Sequence, residues 1–164
     1  MPTIEQQLSA AQWMFERQLY WIAQAELKVA AVVTIDIAML GGLFAAWTNI
    51  QSHPAWSVLL ASACVGLLCA AVLCGAMCLM PRTLPAEYIS GLYFGQIAEI
   101  RNSADFADAH RLKTQQQLLD DWLRQVHRNA QIATLKHSWV RKSLIFSFLG
   151  AACWVGAVAI LVKI

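Results

Sequence analysis

Residues 55–80 read AWSVLLASACVGLLCAAVLCGAMCLM, with no charged residue and no proline. A helix needs about 20 predominantly apolar residues to cross the hydrocarbon core of a bilayer, and this stretch exceeds that. Two more runs flank it. Residues 29–47 (VAAVVTIDIAMLGGLFAAW) carry one charge, Asp36, and residues 143–162 carry none. Trp47, Trp56 and Trp139 fall at or just outside the ends of these runs, where interfacial aromatics belong. The whole chain has 164 residues, 59% hydrophobic and 13% charged, with a mean hydropathy of +0.51. A soluble domain carries about 25% charged residues, and a chain this short has no mass with which to wrap three such helices. The reading is an all-α membrane protein with three transmembrane helices, spans 29–47 and 55–80 forming a hairpin over 29–80 and the third lying in 143–164.

Composition also removes whole classes of function. Net charge is +2, too near balance for a protein that grips a phosphate backbone, so no nucleic-acid partner is expected. There is no phosphate-binding glycine loop, no G-x-S-x-G, no H-E-x-x-H and no dinucleotide glycine pattern. No catalytic residue, enzyme activity or cofactor is therefore expected. His110, His127 and His137 fall on different helix faces. Cys64, Cys69, Cys74, Cys78 and Cys153 all lie in apolar runs without C-x-x-C spacing. No metal site follows, and the thiols read as buried and inert.

Orientation comes from lysine and arginine near the span ends. The loop 48–54 has neither, whereas 81–142 has nine and only Lys163 follows the last span. Residues 1–28 contain Glu5, Glu16, Arg17, Glu26 and Lys28 and no short apolar run behind a basic start, so they read as a cytosolic helix rather than a signal peptide. The N-terminus and the segment 81–142 are expected inside and the C-terminus outside.

Both polar segments, 1–28 and 81–142, read as helix. No Gly or Pro lies between Pro2 and Gly41, nor between Gly95 and Gly150. Ile4, Leu8, Ala11, Phe15, Ile22 and Val29 make one stripe. Leu112, Leu119, Val126, Ala133 and Val140 make a second at seven-residue spacing, widened by Trp122, Leu123 and Ala130. Both stripes resemble bundle or coiled-coil faces that continue into a span. A shorter helix over 85–101 is expected after Thr83-Leu84-Pro85, with Ile89, Tyr93, Ile97 and Ile100 on one face. Ser103 or Asp105 would cap a helix over 105–142, about 57 Å long at 1.5 Å per residue if fully helical; because it outruns the 85–101 helix, either it bends or the second span continues past the bilayer.

Three features invite a function. Asp36 is an ionisable group inside a span, able to line a pore or bond across an oligomer, or else to sit protonated against Thr34 or a neighbouring backbone. Ser62, Gly66, Ala70, Cys74 and Cys78 form a row of small residues, and Ala152 and Gly156, beside Cys153 and Ala157, form another. Such rows favour close helix approach, in self-association or within one chain. Arginines and lysines beside Tyr93, Phe94 and Trp122 suit a small anion with a flat base, although acids interleave with them as on any solvated face.

The layout resembles the transmembrane effector family of bacterial Pycsar antiphage systems. Three pieces carry the resemblance. Trp21-Ile22-Ala23-Gln24-Ala25-Glu26-Leu27-Lys28-Val29-Ala30 precedes the first span, with Glu26 where the family has Asp and Val29 inserted before Ala30. Tyr93-Phe94-Gly95-Gln96-Ile97 follows the second. Leu119-Asp120, Gln125-Val126, Ile132-Ala133 and Lys136 lead into the third. The resemblance implies a bacterial inner-membrane effector. A partner cyclase would make cyclic UMP or cyclic CMP, and the effector would bind it on its cytosolic helices, self-associate and breach the membrane. No recognised cyclic-nucleotide-binding barrel is present. Glu26, Lys28, Lys136 and Arg141 should then share one layer at the membrane face, with Trp21 and Gln125 above. That layer either couples ligand to span movement or holds the helices by a Glu26–Lys136 ion pair. The competing readings are a small oligomeric membrane scaffold and a pore-forming toxin that needs no ligand.

Overall fold

The computed structural model describes residues 2–48, 54–81 and 90–163, and among these it contains helices and no strand. In chain order they are α1 (Ile4–Thr48), α2 (Ala55–Leu79), α3 (Phe94–Glu99), α4 (Ser103–Arg111) and α5 (Gln115–Lys163). α1, α2 and α5 are each long and apolar enough to cross a membrane. The chain divides into two compact units: Met1–Ala23 with Pro81–Thr134, and Gln24–Met80 with Leu135–Ile164.

The second unit holds the three candidate spans. Their outward side chains are mostly apolar, including Ile35, Phe44, Leu59, Leu73, Phe148 and Val155, as helices facing lipid require. Inside, two apolar clusters form. Ala25, Val29, Cys78 and Val140 make one, and Leu43, Cys64, Leu68, Ala157 and Leu161 the other. Close approach depends on glycine at two places. A Cβ on Gly75 would run into the Val33 and Val29 side chains, and one on Gly150 would lie 2.7 Å from Leu68 Cδ2. Polar cross-links fasten α5 to both neighbours. Ser143 Oγ donates to the Ala71 carbonyl at 2.9 Å and Trp154 Nε1 to the Met39 carbonyl at 2.7 Å.

In the first unit the apolar stripe of α1 faces inward as its spacing predicts: Ala11 is fully buried, and Ile4, Leu8, Phe15 and Ile22 are partly so. Phe15 meets Trp122 of α5 edge-on, ring centroids 5.0 Å apart. A reciprocal pair starts α1, in which Gln6 N–H donates to Thr3 Oγ1 and Thr3 N–H to Gln6 Oε1.

The helices between the spans differ from expectation in three ways. Residues 90–93 are not helical, so within the described part, 90–101, the expected helix is limited to α3, with Tyr93 before it and Ile100 after it. Thr83, Leu84, Pro85 and Ile89 lie outside the described residues. Asn102, rather than Ser103 or Asp105, caps α4: its Oδ1 accepts from Asp105 N–H at 2.8 Å while its Nδ2 donates to the Asp105 carboxylate. The expected 105–142 helix breaks at residues 112–114. Thr114 and Gln117 form a second reciprocal cap that starts α5 afresh, which satisfies the first-turn donors locally and leaves Leu112 exposed outside the stripe.

Candidate functional site

On α5, Asp121, Gln125 and Arg128 recur at four and three residues and so share a face. Asp121 and Gln125 are buried despite being polar. The segment that crosses this face is 90–96. Ser90 Oγ donates to Asp121 Oδ1 at 2.6 Å, Gly91 N–H to Oδ2 at 2.9 Å, and Lys113 Nζ reaches the same Oδ2 at 3.0 Å. A Cβ at Gly91 would lie 2.7 Å from Lys113 Nζ, so any larger residue there would displace the lysine tip from Asp121. Ser90 N–H donates to Gln96 Oε1, and Leu92 N–H to Ser90 Oγ. These bonds spend the backbone donors of 90–92 outside any helix, which is why the expected helix gives way there. Tyr93 lies against Gly95, and the Arg128 guanidinium stands 4.4 Å from the Tyr93 ring centroid. A buried carboxylate is stable only when paired and hydrogen-bonded, as Asp121 is here, whereas Arg128 Nη1 is buried with no hydrogen-bond partner among the described residues.

Of the other ligand candidates in this unit, Phe94 is 75% exposed and lies tilted against Tyr93, ring centroids 4.9 Å apart. Trp21 is also exposed, with Arg17 over its ring and that of Tyr20.

In the second unit Lys136 is 4% exposed and bonds two other helices at once. Its Nζ donates to Glu26 Oε1 of α1 at 2.8 Å and to the Cys78 carbonyl of α2 at 2.6 Å. Cys78 lies in the last turn of α2, where carbonyls lack helical partners and a cation complements the helix dipole. Lys28 and Arg141 are exposed and take no part. The Glu26–Lys136 ion pair offered as one reading of that layer forms, and the Cys78 carbonyl joins it as a second acceptor for the lysine.

Asp36 is fully buried, and Ser147 Oγ donates to its Oδ1 at 2.6 Å. Thr34 is not its partner, because the threonine hydroxyl donates to its own helix at the Ala30 carbonyl. Asp36 Oδ2 has no hydrogen-bond partner among the described residues.

The small-residue row of α2 is divided. Cys74 and Cys78 are buried within the chain, Ala70 is half-buried, and Ser62 and Gly66 are exposed beside an apolar groove lined by Phe44, Trp47 and Val65. On α5, Ala152 is exposed and Gly156 faces Leu60. The cysteines are not uniformly buried, since Cys69 faces outward.

Asp121, Ser90 and Lys113 were absent from the sequence-derived candidates. The signal available was a polar face, Asp121-Gln125-Arg128, on a helix whose apolar stripe runs elsewhere. The Cys78 carbonyl has no sequence signal at all, because any residue supplies that atom.

The Pycsar effector protein domain matches residues 10–163, which include all three candidate spans and both polar networks. Among curated proteins, the Pycsar effector protein PtPycTM of Propioniciclava tarda is 24% identical over 140 residues, 81% of this chain and 69% of that protein. No solved structure matches the chain.

Proposed function

The chain belongs to the Pycsar effector family, a family of antiphage defence, and on that premise we propose that it binds a cyclic pyrimidine nucleotide, cyclic UMP or cyclic CMP, made by a partner cyclase. Binding drives self-association of the spans and disrupts the bacterial inner membrane. The protein acts as a membrane effector and not as an enzyme. Residues 1–28 and 81–142 face the cytoplasm, where the messenger is made, and the C-terminus faces the periplasm.

The observation that carries this reading is the buried polar seam between 90–96 and the Asp121-Gln125-Arg128 face. Two of the three segments that resemble the family meet there. The seam offers what a cyclic nucleotide asks for. Lys113 and Arg128 are cations for a phosphodiester, and Tyr93, with Phe94 tilted against it, is an aromatic face for a base. α5 is one helix from Gln115 to Lys163, so it carries the seam, Lys136 and the third span on a single element. A ligand that favours one arrangement of the seam shifts the population toward it. Glu26 and Lys136 act in that coupling. Trp21, Lys28 and Arg141 are exposed groups available to the ligand or to lipid headgroups.

The test is thermal unfolding of the detergent-purified protein with cyclic UMP, cyclic CMP, cyclic AMP and cyclic GMP. A ligand of the folded state raises the midpoint. We expect a rise with one pyrimidine nucleotide alone. No rise with any of the four overturns ligand gating.

A further inference from the structure

We infer that Asp36 sets the ion selectivity of the membrane path this protein opens, admitting monovalent cations and turning back anions. The inference rests on the membrane-disrupting reading above and adds to it the residue that decides what passes. Among the described residues, Asp36 is the one formal charge in 29–48 of α1, in all of α2, and in 143–161 of α5. Whichever faces of these helices come to line a passage, no other charge inside the bilayer can discriminate between ions. Its direction is settled by burial: at 0% exposure it points into the seam between helices rather than toward lipid.

Its level is settled by its neighbours on α1. Val29 belongs to one apolar cluster and Leu43 to the other, and Asp36 lies seven residues from each. That is about 10 Å along the helix in either direction, and seven-residue spacing keeps all three on one face. The seam therefore runs apolar cluster, polar layer, apolar cluster, with Asp36 and Ser147 in the middle. The polar layer is not an optimised structural bond. Among the described residues only Oδ1 is engaged, by Ser147 Oγ at 2.6 Å, and Oδ2 is buried without a partner. Leaving a buried acceptor unmet costs about 1–3 kcal/mol, and two apolar side chains would fill the layer without that cost. A carboxylate kept at a net cost inside a span points to an ion path. Once the apolar clusters part and water enters, a carboxylate in low-dielectric surroundings attracts cations and repels anions, as acidic rings do in cation channels. Each added copy of the chain contributes one such charge.

The experiment uses the full chain in phosphatidylethanolamine–phosphatidylglycerol liposomes under a potassium chloride gradient, with cyclic UMP or cyclic CMP added. The zero-current potential is read. We expect a leak whose potential lies toward that of potassium. Asp36→Asn should lose this shift, moving the potential toward zero while still leaking, and Ser147→Ala should keep it. Asp36→Glu, which preserves the charge, should keep it too and covers the case in which Asp36→Asn fails to insert. A wild-type leak that is unselective or favours chloride overturns the inference and leaves the membrane-disrupting reading standing. An unchanged potential in Asp36→Asn does the same. Absence of any leak with either nucleotide overturns both.

Discussion

Lys136 shows how one side chain can hold three helices. Its ammonium is buried, yet its carboxylate partner Glu26 is 43% exposed, so the two ends of the pair live in different surroundings. The buried end matters more. Lys136→Met removes the cation from the Cys78 carbonyl as well as from Glu26, and should lower stability by about 2 kcal/mol, the usual range for hydrogen bonds to a charged group. Glu26→Gln leaves the lysine its carbonyl and exposes nothing new, and should lower it by no more than about 1 kcal/mol, as for a partly solvated ion pair. The double variant should be no less stable than Lys136→Met alone, because contacting residues do not add. Unfolding of the three variants in detergent checks this. A Glu26→Gln loss equal to that of Lys136→Met would show that the carbonyl contributes nothing. Asp121 is the corresponding residue of the other unit. Asp121→Ala leaves Ser90, Gly91 and Lys113 without their common acceptor, and should cost about 3 kcal/mol. Altered hydrogen exchange at Gly91 and Leu92 would locate that loss in the segment the aspartate holds.

At the scale of the element, α2 carries two glycines that look alike in sequence and differ in consequence. Gly75 sits where a Cβ would collide with Val33 and Val29 of α1, whereas Gly66 has open space on its outer face. Gly75→Ala should destabilise the fold by about 1–3 kcal/mol through overpacking. Gly66→Ala should leave the fold unharmed or slightly firmer, since alanine is the better helix former. The contrast also separates folding from association. If the exposed Ser62–Gly66 part of the row is where copies meet, Gly66→Leu should weaken cross-linking between chains without shifting the unfolding midpoint. Equal cross-linking would remove this face from the interface. Sequence periodicity placed the inward stripe of α1 correctly. It did not locate the break at residues 112–114, because a heptad counted through Leu112 runs on past it. Apolar spacing is blind to a Thr114–Gln117 cap, which competes for the same backbone donors.

For the whole molecule, the family reading predicts conditional harm. Expressed alone, the chain should be tolerated by growing cells. Co-expressed with a pyrimidine cyclase, it should stop growth and admit a membrane-impermeant dye. Lys113→Met and Arg128→Met should each reduce dye entry at a given cyclase level, because each removes a cation from the proposed site. Toxicity without any cyclase would identify a pore former that needs no ligand. Absence of toxicity, together with a stable bound partner, would identify a scaffold.

The sequence by itself determined the fold class, the three spans and the family resemblance. Each rests on composition and local spacing: uncharged runs of bilayer length, stripes at helical period, short motifs in a fixed order. It also brought Asp36, Glu26 and Lys136 forward, because a polar group amid apolar residues, or beside a span, is conspicuous without coordinates, and the family resemblance added Gln125. Only the tertiary structure decided what these groups touch. Asp36 turns to Ser147 and not to Thr34, Lys136 adds a backbone carbonyl to its carboxylate, and Asp121 gathers three donors from two segments. Those partners lie from eight to 111 residues away along the chain. A pairing over that distance is set by how helices pack and which carbonyls their ends leave open, and neither is written in the spacing of residues along a single helix.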